Sequence, residues 1–423
     1  WETSDLMYRF SLQVMARKIA HLKSNPLPPA EAAVPDMQQL PAVTKMVERP
    51  RPFEVDLVAL EGMVKELSAL FKDYKELFNS NVMLVAVEQD NFRLTSENVR
   101  LKFPLGLVGL TVSASVRTTD GSTVSDVLAI SSLENPADLP SLEELKKKVT
   151  DFADNLMELK ETPMIEEYYT GPVLFEEGAA SRLFTDNLLS PGRLLALRTM
   201  APARGMLDEQ LGRKIMDSRL TVKNYTMLVE YDGTPLFGHY EIDGDGVVPA
   251  AELTLVENGV FKRMLNGRVP TLKAPESTGS ARFMISPDNP VAIVSPGTIH
   301  VQTSKSVAPE KLKKALLKAA KEADLEYAYI VRRIGGEASA VYKVNVKDGK
   351  ETRVRVNNLS APELTKLMDL KGISSDERVM NYFPNGVPAS LIYPSAIIVG
   401  DVEINRTTPK IEEVPVLKHP LQR

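Results

Sequence analysis

Two Asx-Gly pairs constrain the fold of this chain more than any other feature of its sequence. Asn258-Gly259 sits inside AELTLVENGVFKRML, and Asp348-Gly349 inside VYKVNVKDGKETRVRV. Asn, Asp and Gly tolerate the positive φ that tight hairpins demand, so such a pair between alternating apolar and polar runs signals an antiparallel hairpin. Asp120-Gly121 breaks GLTVSASVRTTDGSTVSDVLAIS in the same way. The runs LTVKNYTMLVEY, FGHYEI, TIHVQT and AYIVRR alternate too, and so, nearer the N-terminus, do NVMLVAVEQ and FRLTSENVRLKF. Each reads as a strand with one buried face.

Helical spacing appears in fewer places. Met7, Phe10 and Val14 place a helix over 5–22, and Leu60, Val64, Leu67, Phe71, Tyr74 and Phe78 form one stripe of a second. Ser141 and Glu144 form a capping box ahead of Leu145, Val149, Phe152 and Leu156. Pro309 opens a helix carrying Leu312, Leu316, Ala319 and Ala323; a Ser360–Glu363 capping box opens another that ends at Gly372. Seven prolines between Pro26 and Pro52 predict an extended crossing segment there rather than an element. The expected class is α+β in two domains: a helix-flanked N-terminal α/β region and a C-terminal domain rich in antiparallel sheet. The boundaries expected are 1–53 for the helix and Pro-rich crossing, 54–168 for the N-terminal domain and 169–423 for the C-terminal domain.

Composition removes several chemistries. With no cysteine, disulfides, thiolate zinc sites and cysteine nucleophiles are all excluded. A net charge of −5 argues against a general nucleic-acid surface. The Lys146–Lys148 and Lys313-Lys314 runs fall on amphipathic helices as solvated faces. No apolar run reaches the roughly 18 residues that span a bilayer. GxSxG, SxxK, P-loop and strand-associated GxGxxG patterns are all missing.

EIDGDGVVPAAE, residues 241–252, imitates a calcium loop, with oxygen side chains at its first, third and fifth positions and Glu at its twelfth. An EF-hand loop needs a helix on each side, and here both flanks alternate like strands. The stretch therefore reads as a strand connection in which Gly244 and Gly246 supply positive φ. His239, Glu241 and Asp243 then share one strand face. Downstream, Ser277-Thr278-Gly279-Ser280-Ala281-Arg282 offers backbone N–H groups and a guanidinium suited to a peptide carboxylate.

The succession EYDGTPLFGHYEIDGDGVVPAAELTLVENGVFKRMLNGR, then ESTGSARF, resembles the TldD/PmbA family, as does YTGPVLFEEGAASRLFTDNLLS upstream. The resemblance runs from about residue 88 to the C-terminus and is strongest over 171–283. It implies a metallopeptidase fold whose catalytic members carry HExxxH on the helix after the PVLF strand and a cysteine ligand near the C-terminus. At the matching place this chain reads Thr185-Asp186-Asn187-Leu188-Leu189-Ser190, and its histidines are His21, His239, His300 and His419. No metal or other cofactor is expected.

The reading that follows is a metal-free homologue acting as a partner subunit in peptide processing. It would form a homodimer, or a heterodimer with a HExxxH-bearing TldD-type subunit, and take peptide or unfolded polypeptide, with no nucleic acid and no membrane span. The cavity candidates are His239, Asp243, Arg268, Ser277, Ser280 and Arg282. The alternatives are an active zinc peptidase with displaced ligands at Asp186, His239 and Asp243, or a stand-alone peptide-binding scaffold. The family name "modulator of DNA gyrase" finds no echo in the charge pattern. The Trp1 start reads as processing or truncation, which together with the lack of cysteine suits an exported, periplasmic chain better than a cytoplasmic one.

Overall fold

The structure, a computed structural model, describes residues 1–49, 51–133, 135–198, 206–286, 291–335, 338–356 and 359–406. Helix α1 (Glu2–Ser24) covers the first predicted helix and buries none of its residues. The proline-rich segment that follows is not wholly without elements. It holds a single helical turn at Pro29–Ala32 and a short strand, β1 (Val43–Met46).

Helix α2 (Leu57–Ala69) starts at Asp56, whose carboxylate accepts the N–H groups of Val58 and Ala59. The predicted stripe overran its end: Leu70–Asp73 tighten into a 3₁₀ turn, and Phe78 already belongs to strand β2 (Leu77–Leu94). Strands β2, β3 (Val99–Arg117) and β4 (Thr123–Leu133) form an antiparallel meander, and β1 adds to β3 in parallel at Val99–Lys102. The run FRLTSENVRLKF is two strands rather than one, because Asn98 takes φ +61° and turns the chain between β2 and β3. Helix α3 (Leu142–Glu161) has the capping box predicted from Ser141 and Glu144. Its Leu145, Val149, Phe152 and Leu156 pack with Leu67, Leu110 and Val112 into the first core. Each fully buried side chain of this size contributes roughly 1.5–3 kcal/mol.

Two six-stranded sheets make up the rest. One contains β5 (Tyr169–Glu176), which leads into helix α4 (Glu177–Leu188); the other begins with β6 (Leu220–Tyr225). The second sheet continues through β7 (Glu252–Glu257) and β8 (Val260–Phe261), and a separate two-stranded ladder pairs β9 (Ala281–Phe283) with β10 (Ala292–Val294). Strand β11 (Thr298–Thr303) lies antiparallel to β6, and helix α5 (Pro309–Glu322) starts at the proline that predicted it. Strands β12 (Tyr327–Arg333), β13 (Ala340–Asn345) and β14 (Glu351–Val354) extend the first sheet beside β5. Strands β15 (Leu370–Ile373) and β18 (Ala396–Ile404) close its other side, while β16 (Glu377–Tyr382) and β17 (Ala389–Pro394) complete the second sheet. Apolar side chains of both sheets meet around α4 in one large core that includes Phe175, Phe184, Val222, Ile299, Val331 and Ile397. Leu312 and Leu316 of α5 cover the far face at Leu174 and Ile330.

Three sequence expectations need correction here. Residues 360–372 form no α-helix; Leu364–Met368 is a 3₁₀ turn that runs into β15, where Leu370 and Ile373 are buried in the sheet. FGHYEI is a loop, since Phe237 and Gly238 give their N–H groups to the Ser390 hydroxyl instead of to a ladder. Of the three predicted Asx-Gly turns, Asn258-Gly259 makes a two-residue turn with both φ angles positive, as does Asp232-Gly233, while at 120–121 and 348–349 the glycine alone is left-handed, within a longer loop. The mixed helix and sheet content agrees with the expected α+β class. Residues 407–423, including His419, lie outside the described residues.

Candidate functional site

The loop that imitates a calcium site folds inward on its own backbone. Gly246 takes φ +92°, whereas Gly244 is not left-handed. Gly244 instead permits close approach, since a Cβ there would stand 3.1 Å from the Ala281 carbonyl and the Phe283 ring. Asp243 is only 1% exposed. One carboxylate oxygen accepts the N–H groups of Asp245 (2.9 Å) and Val247 (2.8 Å), and the other accepts the N–H of Ala281 (3.0 Å). Burial pushes the Asp243 carboxyl up to about 6, against the pull of those N–H donors and with the Asp245 charge adding to the rise. Asp245 pairs with Arg93 at 3.0 Å and Glu241 with Lys45 at 2.6 Å, so the loop's carboxylates are committed to internal partners.

Those two ion pairs also tie the loop to the N-terminal sheet of β1–β4. Between them opens a cleft of about 430 Å³. One wall comes from β1 and the middle of β3, with Lys45 and Phe103; the other comes from the 237–244 loop, with Phe237 and Tyr240, and from Arg282 and Phe283 of β9. Phe103 and Phe283 meet across it with ring centroids 5.6 Å apart. Arg282 is 8% exposed; its guanidinium lies 4.4 Å from the centre of the Tyr240 ring and donates from Nη1 to the Pro296 carbonyl at 2.7 Å. Burial lowers its pKa to about 10, which leaves it cationic at neutral pH. The Tyr240 hydroxyl donates to the Gly279 carbonyl at 2.8 Å, and burial pushes that phenol up to about 12.

Of the six candidate residues, the structure brings His239, Asp243 and Arg282 together in the lining of this cleft, His239 being the exposed one. Arg268 lies elsewhere: it donates to the Gln38 carbonyl and pairs with Glu97 at 2.6 Å, fastening the proline-rich crossing to the C-terminal part. The Ser277 hydroxyl accepts the N–H of Gly279, and its backbone N–H is taken by the Gln38 side chain; it lines a separate cavity of about 390 Å³. Ser280 is fully buried against the Thr278 hydroxyl at 2.9 Å. Sequence reasoning missed Lys45, Phe103, Phe237 and Tyr240. Tyr240 alone had a signal, as the aromatic neighbour of His239; Lys45 and Phe103 reach the cleft only through strand pairing.

At the helix where a HExxxH motif would stand, α4 is held by contacts within the chain. Asp186 pairs with Arg182 at 3.0 Å, one turn back. The Asn187 amide donates to the carbonyls of Leu183 and Pro362, both at 2.9 Å. Among the described residues no group of three or more His, Asp or Glu side chains has the arrangement that holds a metal ion. The displaced set Asp186, His239 and Asp243 therefore does not fit zinc, which takes three or four converging donors. His300, a further imidazole, pairs with Glu377 at 3.0 Å.

Comparison with known proteins adds family and fold. A family model described as the PmbA/TldA metallopeptidase C-terminal domain matches residues 168–406. The chain is similar in fold to TldE from Thermococcus kodakarensis, with 15% identity and a TM-score of 0.55 over 90% of this chain and 81% of that one. It is similarly close to a protein from Thermotoga maritima MSB8 described as a modulator of a DNA gyrase, with 15% identity and a TM-score of 0.55 over 88% and 81% of the two chains. No curated protein matches it in sequence.

Proposed function

The chain belongs to the PmbA/TldA metallopeptidase family, and from that premise we propose that it is a member without a metal centre of its own, serving as a partner subunit that holds peptide. One observation carries this reading. The helix that would present imidazoles to a metal presents Asp186 and Asn187 instead, and both are tied to groups of the same chain. Amide hydrolysis by an activated water needs converging donors and a proton-moving group near them. Among the described residues the cleft gathers no converging donors, since the Asp243 carboxylate is turned to three backbone N–H groups and Glu241 to Lys45.

What the cleft does supply is a place for an extended chain. Its walls are aromatic (Phe103, Phe237, Tyr240, Phe283), with a buried cation at Arg282, and pockets of this kind combine apolar contact with a few oriented polar groups. Strand β1 forms one rim and pairs only over Val43–Met46, so its backbone is suited to adding an extended peptide by strand pairing.

Purification from the native source, with metal analysis and a peptidase assay, tests the reading. The expected result is protein free of stoichiometric zinc, without peptidase activity alone, and recovered with a HExxxH-bearing family member. Stoichiometric zinc whose removal by chelator abolishes peptide cleavage would refute it and favour the displaced-ligand alternative. Recovery without metal and without such a member would leave a stand-alone peptide-binding scaffold.

A further inference from the structure

Resting on the reading that the cleft holds peptide, we propose that Arg282, supported by the buried Tyr382 hydroxyl behind the wall, forms a carboxylate-recognition subsite there, selecting peptides by an anionic group. Arg268, Arg282 and Arg355 are each almost fully buried. Arg268 pairs with Glu97 and Arg355 with Asp120, as buried guanidinium groups generally must, but Arg282 has no carboxylate partner among the described residues. It faces instead a cleft large enough for a peptide segment.

Its geometry leaves the binding edge free. A guanidinium carries five N–H donors, and Arg282 uses Nη1 on the Pro296 carbonyl with no other hydrogen bond among the described residues. The Tyr240 ring stacks on its face, which fixes the plane and leaves in-plane donors for a bidentate carboxylate. Tyr240 is itself held by the Gly279 carbonyl, so the stack is set before any ligand arrives. The other charges of the cleft do not compete: Lys45 is occupied by Glu241, and Asp243 is turned to its own backbone.

A second donor belongs to the same neighbourhood. Among the described residues the Tyr382 hydroxyl is buried with no hydrogen-bond partner, and Ser390, one residue past its register partner Ala389, gives its N–H to the Gly297 carbonyl, next to the Pro296 carbonyl that receives Arg282. Tyr382 pairs in register with Ala389, the residue after Pro388 of the cleft wall. Two more hydroxyls without a partner among the described residues, Ser295 and Thr298, flank the Pro296 carbonyl that receives Arg282. A buried cation without a carboxylate and three buried hydroxyls without a partner, all among the described residues, leave polar groups here that lack a ligand. A carboxylate suits them, because charge-assisted bidentate pairing to Arg is the strongest of the ordinary hydrogen-bonding arrangements.

The carboxylate could come from a peptide C-terminus or from an Asp or Glu side chain, and calorimetric titration of three probes separates the two. The probes are N-acetyl tetra-alanine as the free acid, the same peptide as its amide, and an N-acetyl amide in which one alanine is glutamate. The expected result is binding of the free acid or of the glutamate peptide at least tenfold tighter than the neutral amide; whichever wins names the source. Arg282→Gln should remove that preference. Because this change could disturb folding, Tyr382→Phe serves as the second variant: it deletes only a hydroxyl that has no partner among the described residues, should keep the melting temperature, and should weaken the anionic peptide about threefold. Equal binding of all three peptides, unchanged by Tyr382→Phe, overturns the subsite while leaving peptide holding intact. Failure of every peptide to bind overturns peptide holding and the subsite with it.

Discussion

The Asp243 carboxylate accepts the backbone N–H of Ala281 at 3.0 Å, which joins the 241–252 loop to the strand that carries Arg282. Truncation as Asp243→Ala would strip the acceptor from three backbone N–H groups at once. An unsatisfied buried polar group costs about 1–3 kcal/mol, and water entering the gap would recover part of it. The expected loss is about 3 kcal/mol by urea denaturation, with weakened binding of anionic peptide as β9 loosens. A loss under about 1 kcal/mol would mean that the loop does not depend on this carboxylate.

The same carboxyl gives a pH signature with an unusual sign. Burial raises it from the ordinary aspartate value to about 6, so between roughly pH 4 and 6 the folded state holds a proton that the unfolded state has released. Stability from this group must therefore fall as pH rises through that window and level off above it. Asp217 behaves in the opposite way. Burial works to raise it, but Arg219 and the backbone N–H groups of Arg219 and Leu370 outweigh that and hold it down to about 2, so its contribution is present above about pH 4 and is lost as pH falls toward 2. Denaturation of the parent and of Asp243→Asn from pH 4 to 7 should show the falling limb in the parent only.

Gly246 should resist substitution. Its φ of +92° disfavours any L side chain, and a Cβ would come within 2.8 Å of Val43 Cγ1 and 2.9 Å of Val99 Cγ1. Those contacts belong to β1 and β3, so the cost falls on the wall opposite Arg282. Gly246→Ala is expected to destabilise by roughly 1–3 kcal/mol and to raise hydrogen exchange in Val43–Met46 before the rest of the sheet. Unchanged exchange there would show that the loop does not seat β1.

Arg355 locks the sheet that contains β5 and β14 to the N-terminal sheet. It pairs with Asp120 at the tip of the β3–β4 hairpin, donates to Ser122 Oγ at 3.0 Å and reaches the Thr162 carbonyl at 2.9 Å. Removing one partner of a buried pair costs about 3–5 kcal/mol, whereas replacing both with apolar groups costs far less. Asp120→Ala is thus expected to be strongly destabilising in urea, and Arg355→Met combined with Asp120→Ala milder than the sum of the single changes. Additive losses would mean that the two residues act independently.

Calcium should not bind the 241–252 loop. Asp243 is engaged with backbone N–H groups, Asp245 with Arg93 and Glu241 with Lys45. Saturating calcium is expected to leave the melting temperature within about 1 °C, since only a ligand that binds the folded state shifts it. A clear upward shift, reversed by chelator, would reassign these carboxylates as ligands.

The elements legible beforehand were those decided by neighbours in sequence. The Ser141 capping box, the Pro309 helix start and the Asn258-Gly259 turn depend on torsions and hydrogen bonds within about four residues, which residue types alone express. The misread stretches lacked that local control. FGHYEI alternates like a strand, yet its backbone donors go to Ser390, about 150 residues away in sequence. Residues 360–372 have helical caps, yet burial of Leu370 and Ile373 in a sheet outweighs a marginal local preference.

Sequence alone therefore settled the α+β class, most of the hairpins and the departure from HExxxH at 185–190, because alternation, turn chemistry and residue identity are all local or literal. Tertiary structure decided which polar residues face a cleft and which serve the backbone. Asp243 could have been a metal ligand or a backbone acceptor, and Arg268 and Arg282 are chemically the same residue, yet one meets Glu97 and the other a ring and an open cleft. That difference arises from chain segments about forty to more than a hundred residues apart being packed together, and no pattern of neighbours in sequence records it.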